Sequence, residues 1–234
     1  MAGDAIYVEI EIRCPIERVW DPHRIRRFIH DGTLGSGMTL SVYERVLGAD
    51  IETLAPQLRS YFSGGHGVGV GAGVFDVAGC RVALLRPLLA YLARQRILFP
   101  EFARNVPFEI LNTPTSEGGL DAVRVFHLPG RDRPLEDTMR VIDGHLHDFM
   151  GRRRGFEVRM VLSIAEGVLT MRSDRQWIRV LGTRLRIPQL ATVSVTESWR
   201  DEHQHVDVRL RTPVLGDWFR YSGEFTYSYG DPKA

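Results

Sequence analysis

The chain has 234 residues, enough for one large or two small domains, with 44% hydrophobic and 25% charged side chains, ordinary for a soluble globular protein. Its 30 Lys and Arg nearly cancel 29 Asp and Glu, so no global field points to nucleic acid or an acidic partner. Two cysteines, Cys14 and Cys80, make neither a disulfide framework nor a zinc set, and no apolar run reaches the ~18 residues that span a bilayer. The opening MAGDAIYVEIEIR has no basic region followed by an apolar one, so no signal peptide is expected and the chain reads as cytoplasmic.

Residues 6–13, IYVEIEIR, alternate apolar and charged side chains and predict a half-buried strand. Cys14-Pro15 ends it, and a short helical turn over Ile16–Trp20 follows. The stretch YVEIEIRCPIERVW resembles the opening of the START-like polyketide cyclase and lipid-transport superfamily, a first strand and then a Pro-led helix ending in Val-Trp. The curved sheet of that superfamily does not follow. The chain instead runs through a basic piece carrying Arg24, Arg26 and Arg27, so residues 1–37 are expected to form a START-like stub and basic linker before a barrel domain at 38–234.

From Leu40 the apolar residues fall at helical spacing: Val42, Val46 and Leu47, then Leu54, Leu58, Tyr61 and Phe62. Asp50 is the expected N-cap of the second helix. Next comes SGGHGVGVGAGVFDV, with glycines at every second position from Gly65 to Gly73. As a strand it has one face of valines and one of bare backbone, which something must approach closely. The nearest candidate in sequence is the apolar helix expected at 84–98.

Beyond Phe99-Pro100 the pattern is all strand, with strands expected at 106–113, 120–128, 134–142, 155–164, 167–173, 175–181, 190–200, 204–212 and 217–229. Short turns join them into an antiparallel meander, and a sheet that long curls or closes. The fold class is therefore mainly β (α+β): a curved or closed antiparallel β-barrel of about ten strands with two or three covering helices, a lipocalin- or START-like pocket architecture.

The pieces VYERVLGADIETLAPQLR, LFPEFARNVPFEILN, RGFEVRM, LTMRSDR, VTESW and TPVLGDWFRYSGEFTY resemble, across residues 40–230, a bacterial family called domain of unknown function 4166. That resemblance implies the family and no mechanism.

Candidate site residues are polar side chains on the apolar face of a strand, because a buried charge is costly unless paired or used. Glu197 shares a face with Val193, Val195 and Trp199. Arg124 lies between Ala122 and Phe126, Asp137 between Leu135 and Met139, and Asn112 ends the series Val106, Phe108, Ile110. Arg172 is in line with Val168 and Thr170. The bland expectation is a structural ion pair between Glu197 and an arginine. The sharper one makes Glu197, Arg172 and Arg124 catalytic, a carboxylate in a dry pocket having its pKa raised toward working pH.

Asn112, Asp137, His66, Trp199, Phe219, Tyr221 and Tyr227 are the expected ligand-binding set, the aromatics suiting a planar or polyene-like molecule. His145 and His147, two apart, make half a metal site with no matching third ligand, so no metal and no cofactor are expected. Nucleophile-elbow and phosphate-loop templates are absent, and the glycine alternation does not fit the dinucleotide fingerprint. Two functions stay open: a cofactor-free cyclase or isomerase of a polyketide- or terpene-like molecule, and a non-catalytic carrier or sensor of a lipid or similar ligand. The expected partner is that hydrophobic small molecule, without nucleic acid or stable membrane insertion, and a homodimer stays open.

Overall fold

A computed structural model describes residues 40–64 and 67–229. The strand expected at 6–13, the stub 1–37, Cys14 and His66 lie outside the described residues. In chain order the elements are α1 (Val42–Leu47), a 3-10 turn (Gly48–Thr53), α2 (Pro56–Phe62), β1 (Gly69–Cys80), a 3-10 turn (Ala83–Leu85), α3 (Arg86–Arg94), β2 (Phe102–Pro114), β3 (Leu120–Leu128) and β4 (Arg131–Ile142). There follow β5 (His145–Met150), β6 (Phe156–Ala165), β7 (Val168–Val180), β8 (Thr183–Ile187), β9 (Thr192–Arg200), β10 (His203–Thr212) and β11 (Gly216–Tyr229).

The sheet closes on itself. Strand order is β6-β5-β4-β3-β2-β1-β11-β10-β9-β7-β8, and β6 also pairs with β7, so ten strands form a closed antiparallel barrel. β8 is the eleventh and pairs only with the far half of β7, whose near half pairs with β9. Closure pairs the edges of the ten barrel strands and leaves an open edge only on the short β8, which answers most of the hazard an open sheet of this length presents.

Two-residue turns hold four hairpins together, with left-handed φ at both positions: Asp143-Gly144, Glu166-Gly167, Leu181-Gly182 and Asp201-Glu202. That backbone matches the twist of the flanking strands.

Three sequence expectations are corrected here. The strands read at 167–173 and 175–181 are one, because the supposed turn at Asp174 is a bulge: Arg159 faces Arg175 and Met160 faces Ser173. β5 and β8 were not anticipated as strands. The helix expected at 84–98 is helical only over Arg86–Arg94, after its 3-10 lead-in.

The helices stopper the two ends. α1 starts at a capping box in which the Ser41 hydroxyl accepts from the Glu44 amide and the Glu44 carboxylate accepts from the Ser41 amide; Asp50 sits inside the 3-10 turn. Arg45 of α1 donates to the Gly118 carbonyl in the β2–β3 turn, and the Ala55 amide to Gly167 in the β6–β7 turn. Leu54, Leu58 and Phe62 thereby enter one core cluster with Met139, Leu146, Met160 and Leu169. At the opposite end Leu89 of α3, Leu98 and Phe99 join Phe75, Phe126 and Phe219 in the second cluster. Backbone bonds from Glu136 to Arg96 and from Arg152 to Gln95 fasten that segment to β4 and the β5–β6 loop.

Candidate functional site

Strand alternation aims one set of side chains into the lumen. At the α3 end the set is aromatic: Phe75 stacks on Phe108 with centroids 4.3 Å apart, Tyr221 lies 5.1 Å from Phe126, and Phe99 meets Phe219 at 5.2 Å. The candidates Phe219 and Tyr221 belong to this wall, and Tyr227, further along β11, packs on Tyr61 of α2 with ring centroids 4.5 Å apart.

The glycine ladder is part of the same lumen. Gly69, Gly71 and Gly73 are in register with Phe75 and face inward, and Val70, Ala72 and Val74 alternate with them. A methyl group at Gly69 would lie 1.8 Å from the Tyr227 hydroxyl, and one at Gly73 would lie 2.0 Å from the Glu224 carbonyl. The bare face is therefore covered by β11 and the Tyr227 ring, not by the helix at 84–98.

Among these rings stands a polar group. Arg124 donates to Asp137, and 17% of the arginine side chain stays accessible although it points inward. Val193, Val195, Tyr221 and Tyr227 also point inward, pack on the core and remain half-buried. The Asn112 amide donates to the Tyr61 hydroxyl at 3.4 Å, and the Tyr43 hydroxyl to the Met139 sulfur at 3.3 Å. Asn112 Oδ1, Asp137 Oδ2 and Asp148 Oδ1 are buried without a hydrogen-bond partner among the described residues.

Glu197 is buried beside Trp199 on β9, and Gln204 of β10 donates to its Oε2 at 2.5 Å. Burial pushes the Glu197 carboxyl up to about 7, against the lowering effects of the Gln204 hydrogen bond and the Arg124 charge. Burial also raises Asp148 well above the carboxylate range; neighbouring Asp137 adds to the rise and Arg124 opposes it. Asp137 is raised by burial, with Arg124 opposing. The lumen thus carries one guanidinium and three carboxyls that resist ionisation. Asp137 balances the arginine.

The lumen brings together Glu197, Arg124, Asp137, Asn112, Trp199, Phe219, Tyr221 and Tyr227. Arg172 is corrected: it is exposed on the outer face of β7, because the inward series there is Leu169, Met171 and Ser173. The ion pair expected between Glu197 and an arginine is not made; Arg124 is taken by Asp137.

His147 is on the outer face of β5, where its Nδ1 lies 2.7 Å from Glu157 Oε1; Arg184 also donates to that carboxylate. His145 is exposed, and no group of three metal-ligating side chains occurs among the described residues. Asp148, Gln204 and Tyr61 were missed. The signal for Asp148 was present, since it alternates with Leu146 and Met150 once residues 145–150 are read as a strand.

Compared with known proteins, the chain is 26% identical over 205 residues to "Uncharacterized protein YndH" of Bacillus subtilis (strain 168), covering 79% of this chain and 96% of that one. No solved structure matches. The family model described as "Domain of unknown function (DUF4166)" matches residues 54–225, from the end of the first 3-10 turn into β11. That span takes in nearly the whole barrel, and the chain belongs to the DUF4166 family.

Proposed function

We propose that the barrel encloses a small, largely apolar organic molecule bearing one polar end. The carrying observation is the set of unpartnered buried atoms Asn112 Oδ1, Asp137 Oδ2 and Asp148 Oδ1 in a lumen walled by aromatic rings toward the α3 end and by leucine and methionine side chains toward the other. Buried polar atoms without partners are rare in native folds and cost stability, which a bound hydroxyl or amine would relieve. The rings match a flat or polyene hydrocarbon, such as a polyketide- or terpene-like molecule.

Native mass spectrometry of the freshly purified protein is expected to show an added mass of a small organic molecule. The double variant Asn112→Leu, Asp148→Leu is expected to lose that mass at an unchanged circular-dichroism spectrum. A protein that carries no added mass and takes up no fluorescent polyene fatty acid overturns the reading.

A catalytic reading is favoured by Glu197, whose carboxyl is pushed to about 7 and is therefore able both to take and to return a proton near neutral pH. A cyclisation or isomerisation needs only that: a proton leaves one carbon to the carboxylate and is delivered to another, with no net oxidation. Glu197→Gln is expected to keep binding and abolish turnover of the extracted molecule; unchanged turnover overturns the assignment.

A further inference from the structure

The two ends of the barrel differ in chemistry, and the difference is not explained by the fold. At the end closed by α1 and α2 the turns carry Glu117, Asp143, Glu166, Asp201 and Glu202, beside Asp50 and Glu52 of the 3-10 turn. At the α3 end the exposed positions are instead apolar. Leu84 of the 3-10 lead-in and Leu88 and Tyr91 of α3 are all exposed, while Leu89 of the same helix is buried. Leu181, at the tip of the β7–β8 hairpin, is 101% exposed, and Val214 in the β10–β11 turn is 90% exposed. Three separate elements therefore offer apolar side chains to solvent at one end of the molecule.

The tip at Leu181 is doubly unfavourable for an isolated protein. Its φ is +49° in a two-residue turn that favours Asn, Asp or Gly, and its side chain gains no burial. The corresponding turns at the other end have Asp143, Glu166 and Asp201 in that place. A leucine held there is explained by something it touches outside the chain.

Charge names the class of partner. No Asp or Glu occurs in residues 81–100, 149–156, 175–196 or 208–216, which make up most of this end, whereas Arg81, Arg86, Arg94, Arg152, Arg153 and Arg186 do. The acids this end does carry are each already held: Glu101 and Asp217 by two arginines, Glu136 by Arg96, and Asp132 in the β3–β4 turn by His127. Exposed leucines among arginines that outnumber the few, already paired acids are the composition of a surface that sits at a lipid–water boundary. A second copy of this chain is disfavoured, because two such ends would set arginines against arginines.

We propose that the α3 end of the barrel docks on an anionic phospholipid surface, with Leu84, Leu88, Tyr91, Leu181 and Val214 entering the headgroup region. This docking is independent of what occupies the lumen, and its test contains no lumen ligand.

The test is flotation of the full chain with vesicles of phosphatidylcholine alone and of phosphatidylcholine with phosphatidylglycerol. Binding is expected to the anionic vesicles, to weaken at high salt, and to fall more than about tenfold in Leu88→Asp, Leu181→Asp, Val214→Asp. The charge-matched control Thr53→Asp, Gln57→Asp, Ser60→Asp, at the opposite end, is expected to bind as the parent does. All these sites are exposed, and thermal melting verifies that both triple variants fold. No flotation with anionic vesicles, or equal flotation of the two triple variants, overturns the proposal. So does a dimer in solution that the Leu88, Leu181, Val214 variant dissolves.

Discussion

Glu197 links the lumen's chemistry to the stability of the fold. Its carboxyl titrates near 4.5 in an unfolded chain and at about 7 when buried in the barrel. Between those values the folded state holds the extra proton, so this group's contribution is fully favourable below about pH 4.5 and is lost as pH rises through 7. The shift corresponds to about 3 kcal/mol. Thermal melting of the parent is therefore expected to be lower at pH 8 than at pH 5 by an amount that Glu197→Gln reduces. Equal pH dependence in both proteins would show that Glu197 ionises in the fold as freely as in water.

Arg124 and Asp137 give a second test. Arg124→Met alone leaves Asp137 buried without its partner and is expected to cost about 3–5 kcal/mol. Adding Asp137→Leu should recover most of that in urea unfolding, because both charges are then gone. These residues were readable beforehand because each interrupts an alternating apolar series. Arg172 failed the same reading because Val168 and Thr170 fit an outer face as well as an inner one; Leu169 and Met171 set the inward phase.

Among the elements, β1 shows how a strand can be recognised and its partner misjudged. The glycine alternation announced a strand and a close approach, but a single sequence does not say which neighbour lies across from it. The neighbour is β11, 150 residues further along at Gly73↔Phe225, where the Glu224 carbonyl and Phe225 backbone fill the space of a side chain. Gly73→Ala must move backbone and is expected to destabilise the protein by about 1–3 kcal/mol in chemical unfolding. Gly69→Ala meets only the end of the Tyr227 side chain and is expected to cost less, displacing that ring into the lumen. A larger loss from Gly69→Ala than from Gly73→Ala would contradict the packing described. Asp174 was misread for a similar reason. A Ser-Asp pair in sequence marks a turn or a bulge equally well, and only the pairing with β6 decides.

At the scale of the whole molecule, antiparallel order followed from short turns and alternation and holds, while the total of about ten barrel strands agrees although β5 and β8 were missed and β7 was split in two. Closure was one of two outcomes for a sheet of that length, and it is decided by one long-range pairing, β1 with β11, which brings the chain of hairpins back on itself. The contrast between the two ends was invisible in a net charge of +1, because acidic turns and arginine-rich loops cancel in the sum and separate only in space. No helix among the described residues is long and apolar enough to cross a membrane.

The seam between β1 and β11 also sets an order of events during synthesis. Residues 69–80 leave the ribosome long before 219–229 exist, so β1 can pair with β2 but its other edge stays open while most of the chain is translated. Such edges recruit other chains. The glycine-rich composition of β1 offers little side-chain grip to an intruding strand, and the true partner brings the rings that fit it. Nascent chains stalled before Gly216 are therefore expected to be protease-sensitive throughout the barrel, and those released after Tyr229 resistant. Resistance before β11 emerges would mean that the barrel is stable without its seam.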